Sequence, residues 1–254
     1  MNLGITGKTA LICASSQGLG LACAQSLARE GVKVILNGRN EEKLAEAAQS
    51  IAGARWIAAD QTTQAGREAL ISGAGDVDVL VNNNAGPPPG VLADWDEAAI
   101  LGAVNANMLP AIQLMRAFIP GMRQRKFGRI INITSAMVKS PHYVMGLSTS
   151  ARAGLTAISK AISKDVVIDN VTINNLLPER IDTPRQEFIA QRIMAQQGVD
   201  REEARRQIAD TIAAKRFGLP VEFGDACAFL CSVQAGFISG QNLQLDGGSY
   251  EGLI

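Results

Sequence analysis

Short apolar runs alternate with longer segments of helical periodicity along the whole chain. Each apolar run is bounded by turn-forming residues, which is typical of strands that are buried on both faces. The longer segments repeat apolar residues at the spacing of an amphipathic helix. The predicted strands cover residues 8–13, 32–37, 55–58, 77–81, 129–133, 171–176 and 242–245, and the predicted helices cover 18–30, 41–51, 64–73, 97–125, 146–166, 185–214 and 221–231.

This alternation predicts an α/β fold of the Rossmann type, a doubly wound parallel sheet of about seven strands with helices on both faces. No shift in composition divides residues 1–254, so we expect a single domain. The charged segment 185–214 follows a strand end, where ligands of such sheets bind. We interpret it as a substrate lid, the alternative being a solvent-exposed helix pair without that role.

Composition excludes several classes of function. The chain has 24 basic and 24 acidic residues, and this balance predicts no nucleic-acid partner and no charged membrane surface. The basic cluster at residues 123–129 is interpreted as a solvated helix end rather than a binding patch. The first residues resemble neither a signal nor a transit peptide, and we find no apolar run long enough to span a membrane. We therefore expect a cytoplasmic protein.

The cysteines do not indicate a metal site. Cys13, Cys23, Cys227 and Cys231 lack the spacing of zinc ligands, and His142 is the only histidine. Buried, reduced thiols are therefore the preferred interpretation.

Glycines after the first predicted strand indicate a phosphate-binding turn. Gly18 and Gly20 lie where the chain enters a helix, so the backbone can approach a pyrophosphate at the helix N-terminus. Asp60 follows the third strand and the run Asn84-Ala-Gly follows the fourth. Together these positions predict a dinucleotide site.

On these motifs the chain resembles the short-chain dehydrogenase/reductases over nearly all its length, most of all the branch that includes bacterial 3-oxoacyl-(acyl carrier protein) reductases. Two family glycines are replaced, by Ala14 and Glu179. The resemblance implies that Asp60 binds the adenine amino group and that residues 84–86 line the adenosine side. The implied cofactor-binding residues are Ser15, Ser16, Gly18, Leu19, Gly20, Arg39, Asp60, Asn84, Ala85, Gly86, Arg152, Pro178, Ile181 and Thr183.

The end of the second strand favours NADP(H) over NAD(H). NAD enzymes usually carry an acid there that accepts from the ribose 2′-hydroxyl, and residues 36–40 contain none. Arg39 is instead suited to pair with a 2′-phosphate. An ordinary exposed arginine is the alternative interpretation.

The resemblance also implies the catalytic positions, and two of them are changed. Ser135 and Asn107 occupy the family's serine and asparagine positions, whereas Ser148 replaces the tyrosine and Arg152 replaces the lysine. A phenol has a pKa of about 10 that a nearby cation lowers, and a serine hydroxyl is a far weaker acid. Arg152 keeps the positive charge at helical spacing from Ser148 but does not readily exchange a proton.

Two residues are candidates for the missing proton donor. Tyr143 precedes Ser148 by five positions, and His142 carries an imidazole, the side chain that most often serves in general acid–base catalysis. The alternative for both is an ordinary loop residue.

These features predict an NADP(H)-dependent oxidoreductase that interconverts a small-molecule carbonyl and alcohol through an altered proton relay. The alternative is a catalytically degenerate cofactor-binding protein that acts as a sensor or partner subunit. An oligomer that keeps the fold only for assembly is a third hypothesis. The resemblance implies a homo-oligomer, either a tetramer or a dimer, and helices 97–125 and 146–166 are rich in the Ala, Leu and Ile expected at a two-fold contact.

Overall fold

The computed structural model describes residues 1–253, in which seven strands form one parallel sheet. The strands are β1 Thr9–Ile12, β2 Lys33–Gly38, β3 Arg55–Ala58, β4 Val79–Asn82, β5 Gly128–Ile133, β6 Val171–Pro178 and β7 Asn242–Leu245. Their order in the sheet is β3-β2-β1-β4-β5-β6-β7, so the strand order reverses between β1 and β4. The predicted seven-stranded Rossmann-type sheet is confirmed.

The central strands are apolar because helices cover both of their faces. All six residues of β5 are buried, as are the four of β4. One face packs against helices α1 and α9 through residues such as Leu27 and Phe223, and the other packs against α5 through Leu114 and Met115. The helices are α1 Gly18–Arg29, α2 Glu41–Gln49, α3 Gln64–Ala74, α4 Glu97–Asn107, α5 Leu109–Gln124, α6 Gly146–Val166, α7 Pro184–Gln197, α8 Arg201–Asp210 and α9 Pro220–Cys231.

The predicted continuous helix 97–125 is wrong, because the structure divides it into α4 and α5. Met108 separates them with φ −129° and ψ −57°, outside the helical region. Pro110 follows in the first turn of α5, where its missing N–H removes no helical hydrogen bond. The break lies beside the end of β4, because Asn107 and Pro110 line the same small cavity as Asn82.

The same stretch bears on the expectation that no segment spans a membrane. By length and composition alone, Glu97–Gln124 would suffice to cross a membrane. In the structure its second half packs against the sheet, where Leu114, Met115 and Phe118 belong to the core. This is the arrangement of a core helix.

The charged segment after β6 forms two helices rather than one helical region from 185 to 214. Helices α7 and α8 pack through a small apolar cluster of Ala190, Ala204 and Ile208. An ion pair of 2.8 Å between Arg201 of α8 and Glu187 of α7 also joins the two helices. The hairpin lies beyond the carboxyl end of β6, next to the predicted ligand site.

Candidate active site

The turn after β1 has the tight geometry expected of a phosphate-binding loop. Ala14, at a family glycine position, has a left-handed φ of 45°, which is strained for a residue with a Cβ. Gly18 has φ 61° and begins α1. A Cβ on Gly20 would lie 2.5 Å from the carbonyl oxygen of Ala14, so this glycine permits the helix to pack against the turn. The N-terminus of α1 therefore lies directly beside this turn.

A cleft of about 450 Å³ lies where the strand order reverses. Its two sides are joined by the Asn83 side chain, which donates to the carbonyl of Ala14 at 3.1 Å. Gln61 in turn donates to the carbonyl of Asn83 at 2.7 Å. Of the sequence-predicted cofactor residues, the cleft is lined by Ser16, Gly18, Leu19, Arg39, Asp60, Asn84, Ala85 and Thr183.

Two arginines give this cleft a positive field. Arg39 and Arg185 both line it, both are exposed, and neither has an ion pair within residues 1–253. Asp60 is the only acid of the lining, and its carboxylate accepts from the N–H and hydroxyl of Thr62. Burial acts to raise the pKa of Asp60, but these hydrogen bonds and the charge of Arg39 outweigh it, so this pKa lies below its usual value. Two cations, a glycine turn and a helix N-terminus fit the pyrophosphate and further phosphate of a dinucleotide.

Arg185 is a candidate residue that the sequence analysis missed. It follows Thr183 and Pro184 in the first turn of α7, so the α7 N-terminus and a guanidinium face the same cleft. The sequence signal for this residue is its position directly after a proline, where a helix begins beyond the end of a strand.

The remaining cofactor candidates lie outside the lining of this cleft. Ser15 is fully buried, and its hydroxyl donates to the carbonyl of Ile12 while accepting from the N–H of Asn37, which ties β1 to β2. Ile181 is buried beside Gly218, and Pro178 ends β6. Gly86 borders a neighbouring groove.

Ser148 and Arg152 form a buried pair on one face of α6. Nη1 of Arg152 donates to Oγ of Ser148, and Nη2 donates to the carbonyl of Asn84 at 3.3 Å. Both residues are less than one tenth exposed. A Cβ on Gly86 would lie 2.9 Å from Nη1, so the pair packs directly against the Gly86 backbone.

Arg152 is a buried cation without an acidic partner in the described chain. Burial, aided by the like charge of Arg185, lowers the pKa of Arg152 to about 10. A buried charge that is not paired destabilises a fold, so its presence here indicates a use other than stability.

Ser135 and Asn107 complete the set of four positions. Ser135 begins a short turn after β5, where its Oγ accepts from the N–H of Met137 at 3.2 Å. Asn107 ends α4 and donates through Nδ2 to the carbonyl of Ala85 at 3.0 Å. Asn107 and Arg152 also line a small cavity of about 20 Å³ together with Asn82.

Comparison with known proteins agrees with this geometry. A family model described as enoyl-(acyl carrier protein) reductase matches residues 13–250. The chain belongs to the short-chain dehydrogenase/reductase family. Over 97% of its length it is 30% identical to the NADPH-dependent reductase BacG of Bacillus subtilis, which it covers to 99%. It is 32% identical, over 96% of its length and 97% of the relative, to the 3-oxoacyl-[acyl-carrier-protein] reductase FabG of Rickettsia conorii.

A solved reductase structure is similar along the entire chain. The L-sorbose reductase of Gluconobacter frateurii, complexed with NADPH and L-sorbose, superposes with a TM-score of 0.95. The two proteins are 31% identical, and the match covers 100% of each. The resemblance inferred from the sequence motifs is thereby confirmed.

The two other candidates for the proton donor lie at the surface of this short-chain dehydrogenase/reductase. Tyr143 begins a short turn before α6, and its side chain is 75% exposed. Its ring stacks on that of His142 with centroids 5.0 Å apart. The structure therefore brings Ser148 and Arg152 together, and places Tyr143 and His142 on the segment that precedes them.

Proposed function

We propose that the protein is an NADP(H)-dependent oxidoreductase that interconverts a carbonyl and an alcohol, with the Ser148–Arg152 pair in place of the usual tyrosine and lysine. The hydrogen bond from Arg152 to Oγ of Ser148 carries this proposal. Because Ser148 accepts that bond, its own hydroxyl hydrogen is directed elsewhere and is available to a substrate oxygen.

The cleft residues support NADP(H) as the cofactor. Gly18, Leu19 and the N-terminus of α1 would hold the pyrophosphate, with Arg185 opposite them. Arg39 would bind the 2′-phosphate, since a guanidinium forms paired hydrogen bonds with phosphate oxygens. BacG is named an NADPH-dependent reductase, and the L-sorbose reductase structure contains NADPH. When bound, this cofactor supplies or accepts the hydride at the carbonyl carbon.

Two hydroxyl groups would bind the carbonyl oxygen. Ser135 accepts from the Met137 N–H, just as Ser148 accepts from Arg152, so both hydroxyl hydrogens are free to donate. Donors already fixed in place stabilise the negative charge that develops on oxygen without further reorganisation. Ser148 would then pass its proton to that oxygen, the positive charge of Arg152 would stabilise the serine oxygen, and a proton from solvent would restore the hydroxyl.

A bound water molecule would fix the position of Arg152 through hydrogen bonds. Nε of Arg152, Oδ1 of Asn107 and Oδ1 of Asn82 are buried without a protein hydrogen-bond partner, and these residues line one cavity of about 20 Å³. That volume and three polar partners suit a single water molecule. Asn107 is therefore a positioning residue for Arg152.

Helices α7 and α8 would form the substrate lid. Asp182, before α7, is paired with Arg205 of α8 at 2.8 Å, so the hairpin is joined to the loop that contributes Thr183 to the cleft. Movement of the hairpin would therefore move Thr183 and Arg185 with respect to the cofactor.

Tyr143 is the second candidate for the acid, if its exposed turn moves toward the cleft. A cofactor-binding protein without turnover is the second candidate function. The observation that favours it is the large difference in acidity between a serine hydroxyl and the phenol that it replaces.

The test compares two serines of the same helix. Ser148→Ala should lower kcat by about 10²-fold or more, while Ser150→Ala, whose hydroxyl is exposed and donates to the Leu147 carbonyl, should leave it unchanged. NADPH oxidation against a panel of ketones measures turnover, and fluorescence titration measures NADPH binding. Equal kcat values for the two variants would overturn the role of Ser148. Binding of NADPH without turnover of any ketone would favour the second candidate function.

A further inference from the structure

A second groove opens from the cofactor cleft. Its volume is about 350 Å³, and Ala85 and Ala106 line both the groove and the cleft. Gly86, which packs against the Ser148–Arg152 pair, also lines it. The groove is therefore continuous with the place where the reacting carbonyl would bind.

One wall of the groove is a stiff, apolar loop. Residues 87–89 are three consecutive prolines, followed by Gly90. The N–H of Gly90 donates to the carbonyl of Val144 at 2.8 Å, which fixes this loop to the segment before α6. Prolines hold the backbone at one φ, so little conformational entropy is lost when a ligand binds against them.

The rest of the lining is apolar, with small side chains and one large ring. Ala99, Gly102 and Ala103 of α4 line the groove together with Leu147. Trp95 lies beside the proline loop, since a Cβ on Gly90 would be 3.3 Å from Nε1 of Trp95. A compact apolar group can pack against these residues because an aromatic ring offers a large contact area.

The groove offers few partners for a polar ligand. Asp94 is the single charged residue of its lining, and Oδ2 of Asp94 already accepts from the N–H of Val91 at 2.8 Å. Several hydroxyl groups buried here would lose their water without gaining hydrogen bonds, which is unfavourable.

We propose that this groove is the substrate-specificity site and that it binds a compact apolar ring attached to the reacting carbonyl. The proposal rests on the proposed function for the position of the carbonyl, and it names the substrate class of that site. Polyols would be disfavoured, and the ring would contact the proline loop, Trp95 and the small side chains of α4.

The first test needs no turnover. Trp56 and Trp95 are the two tryptophans, so Trp56→Phe makes the fluorescence report on Trp95 alone. Titration with cyclohexanol should change this emission in a saturable way, and sorbitol at equal concentration should not. A response to neither compound would overturn the proposal. An emission that changes with protein concentration and not with cyclohexanol would also overturn it, because a second copy of the chain would then cover the groove.

The second test fills the groove from α4. A Cβ on Gly102 would meet no atom within 4 Å, so Gly102→Leu places a side chain in open space, and Gly102→Ala is the matched control. Gly102→Leu should raise KM for cyclohexyl methyl ketone by about tenfold or more, while kcat/KM for butanone stays unchanged. Equal effects on both ketones, or none, would overturn the assignment.

Together, the two tests distinguish a failure of the groove proposal from a failure of the proposed function. If cyclohexanol binds, and Gly102→Leu abolishes that binding, the groove is established even when no ketone is reduced, and only the proposed function fails. If ketones are reduced but neither Trp95 emission nor Gly102→Leu shows an effect, the proposed function stands and the groove proposal fails.

Discussion

Replacing Arg152 by methionine should make the protein more stable and less active. Burial lowers the pKa of this guanidinium to about 10, so the folded chain disfavours its charge at every lower pH. That penalty would be relieved only as the pH rises through about 10, and the energy equivalent of the shift is about 3 kcal/mol. Methionine removes the charge and keeps an unbranched, adaptable chain that reaches as far as the position of Nε.

The gain in stability is partly offset by lost hydrogen bonds. The carbonyl of Asn84 would lose its bond from Nη2, and a buried acceptor without a partner costs about 1–3 kcal/mol. We therefore expect the free energy of unfolding of Arg152→Met to rise by about 1 kcal/mol.

Activity should change in the opposite direction. Without the guanidinium, Oγ of Ser148 loses the donor that directs its hydrogen, and the site loses its positive charge. A hydrogen bond to a charged group contributes about 1.5–3 kcal/mol, which corresponds to a loss of about 10- to 100-fold in kcat.

Urea denaturation measures the first effect, and NADPH oxidation with a reducible ketone measures the second. Lys160→Met is a matched control, because Lys160 lies on the same helix and donates to the carbonyl of Gly240 at 3.1 Å. It should leave kcat unchanged. A loss of more than about 2 kcal/mol of stability in Arg152→Met, with kcat unaltered, would show that Arg152 serves the fold and would refute the reasoning.

Three further outcomes are expected. Arg39→Asp should weaken NADPH binding by more than about 1 kcal/mol in a fluorescence titration and spare NADH, and equal losses would exclude Arg39 as the 2′-phosphate contact. Ser135→Ala should lower kcat, whereas a loss of about 10²-fold in Tyr143→Phe would assign the acid to Tyr143 instead of Ser148. Analytical ultracentrifugation at micromolar concentration should show a dimer or tetramer, and a monomer would contradict the expected assembly.

Local patterns predicted the elements well where one periodicity dominates. Helix α6 and strands β3 and β7 have the predicted limits, because their apolar spacing and flanking turns agree. The break at Met108 was missed, since the apolar pattern continues across it and Pro110 suits the start of a helix as well as it would suit a kink. The non-helical dihedral angles of Met108 mark that break.

The motifs predicted the site residues but not which of them share one surface. Ser148 and Arg152 were recognisable as a pair because residues four apart lie on one helix face. Arg185 was missed because its relevance depends on where α7 begins relative to β1, which is far away in sequence. The buried state of Arg152 also depends on residues from several elements, among them Gly86 and Asn84.

The sequence by itself determined the alternation of strands and helices and the spacing of the motifs on which the family resemblance rests, because each depends on residues that are neighbours in the chain. Only the tertiary structure decided that Arg152 donates to Ser148 without an acidic partner, and that the proline loop and Trp95 enclose an apolar groove beside them. Hydrogen-bond direction, desolvation and cavity shape arise between segments distant in the chain, so the residue types alone do not specify them.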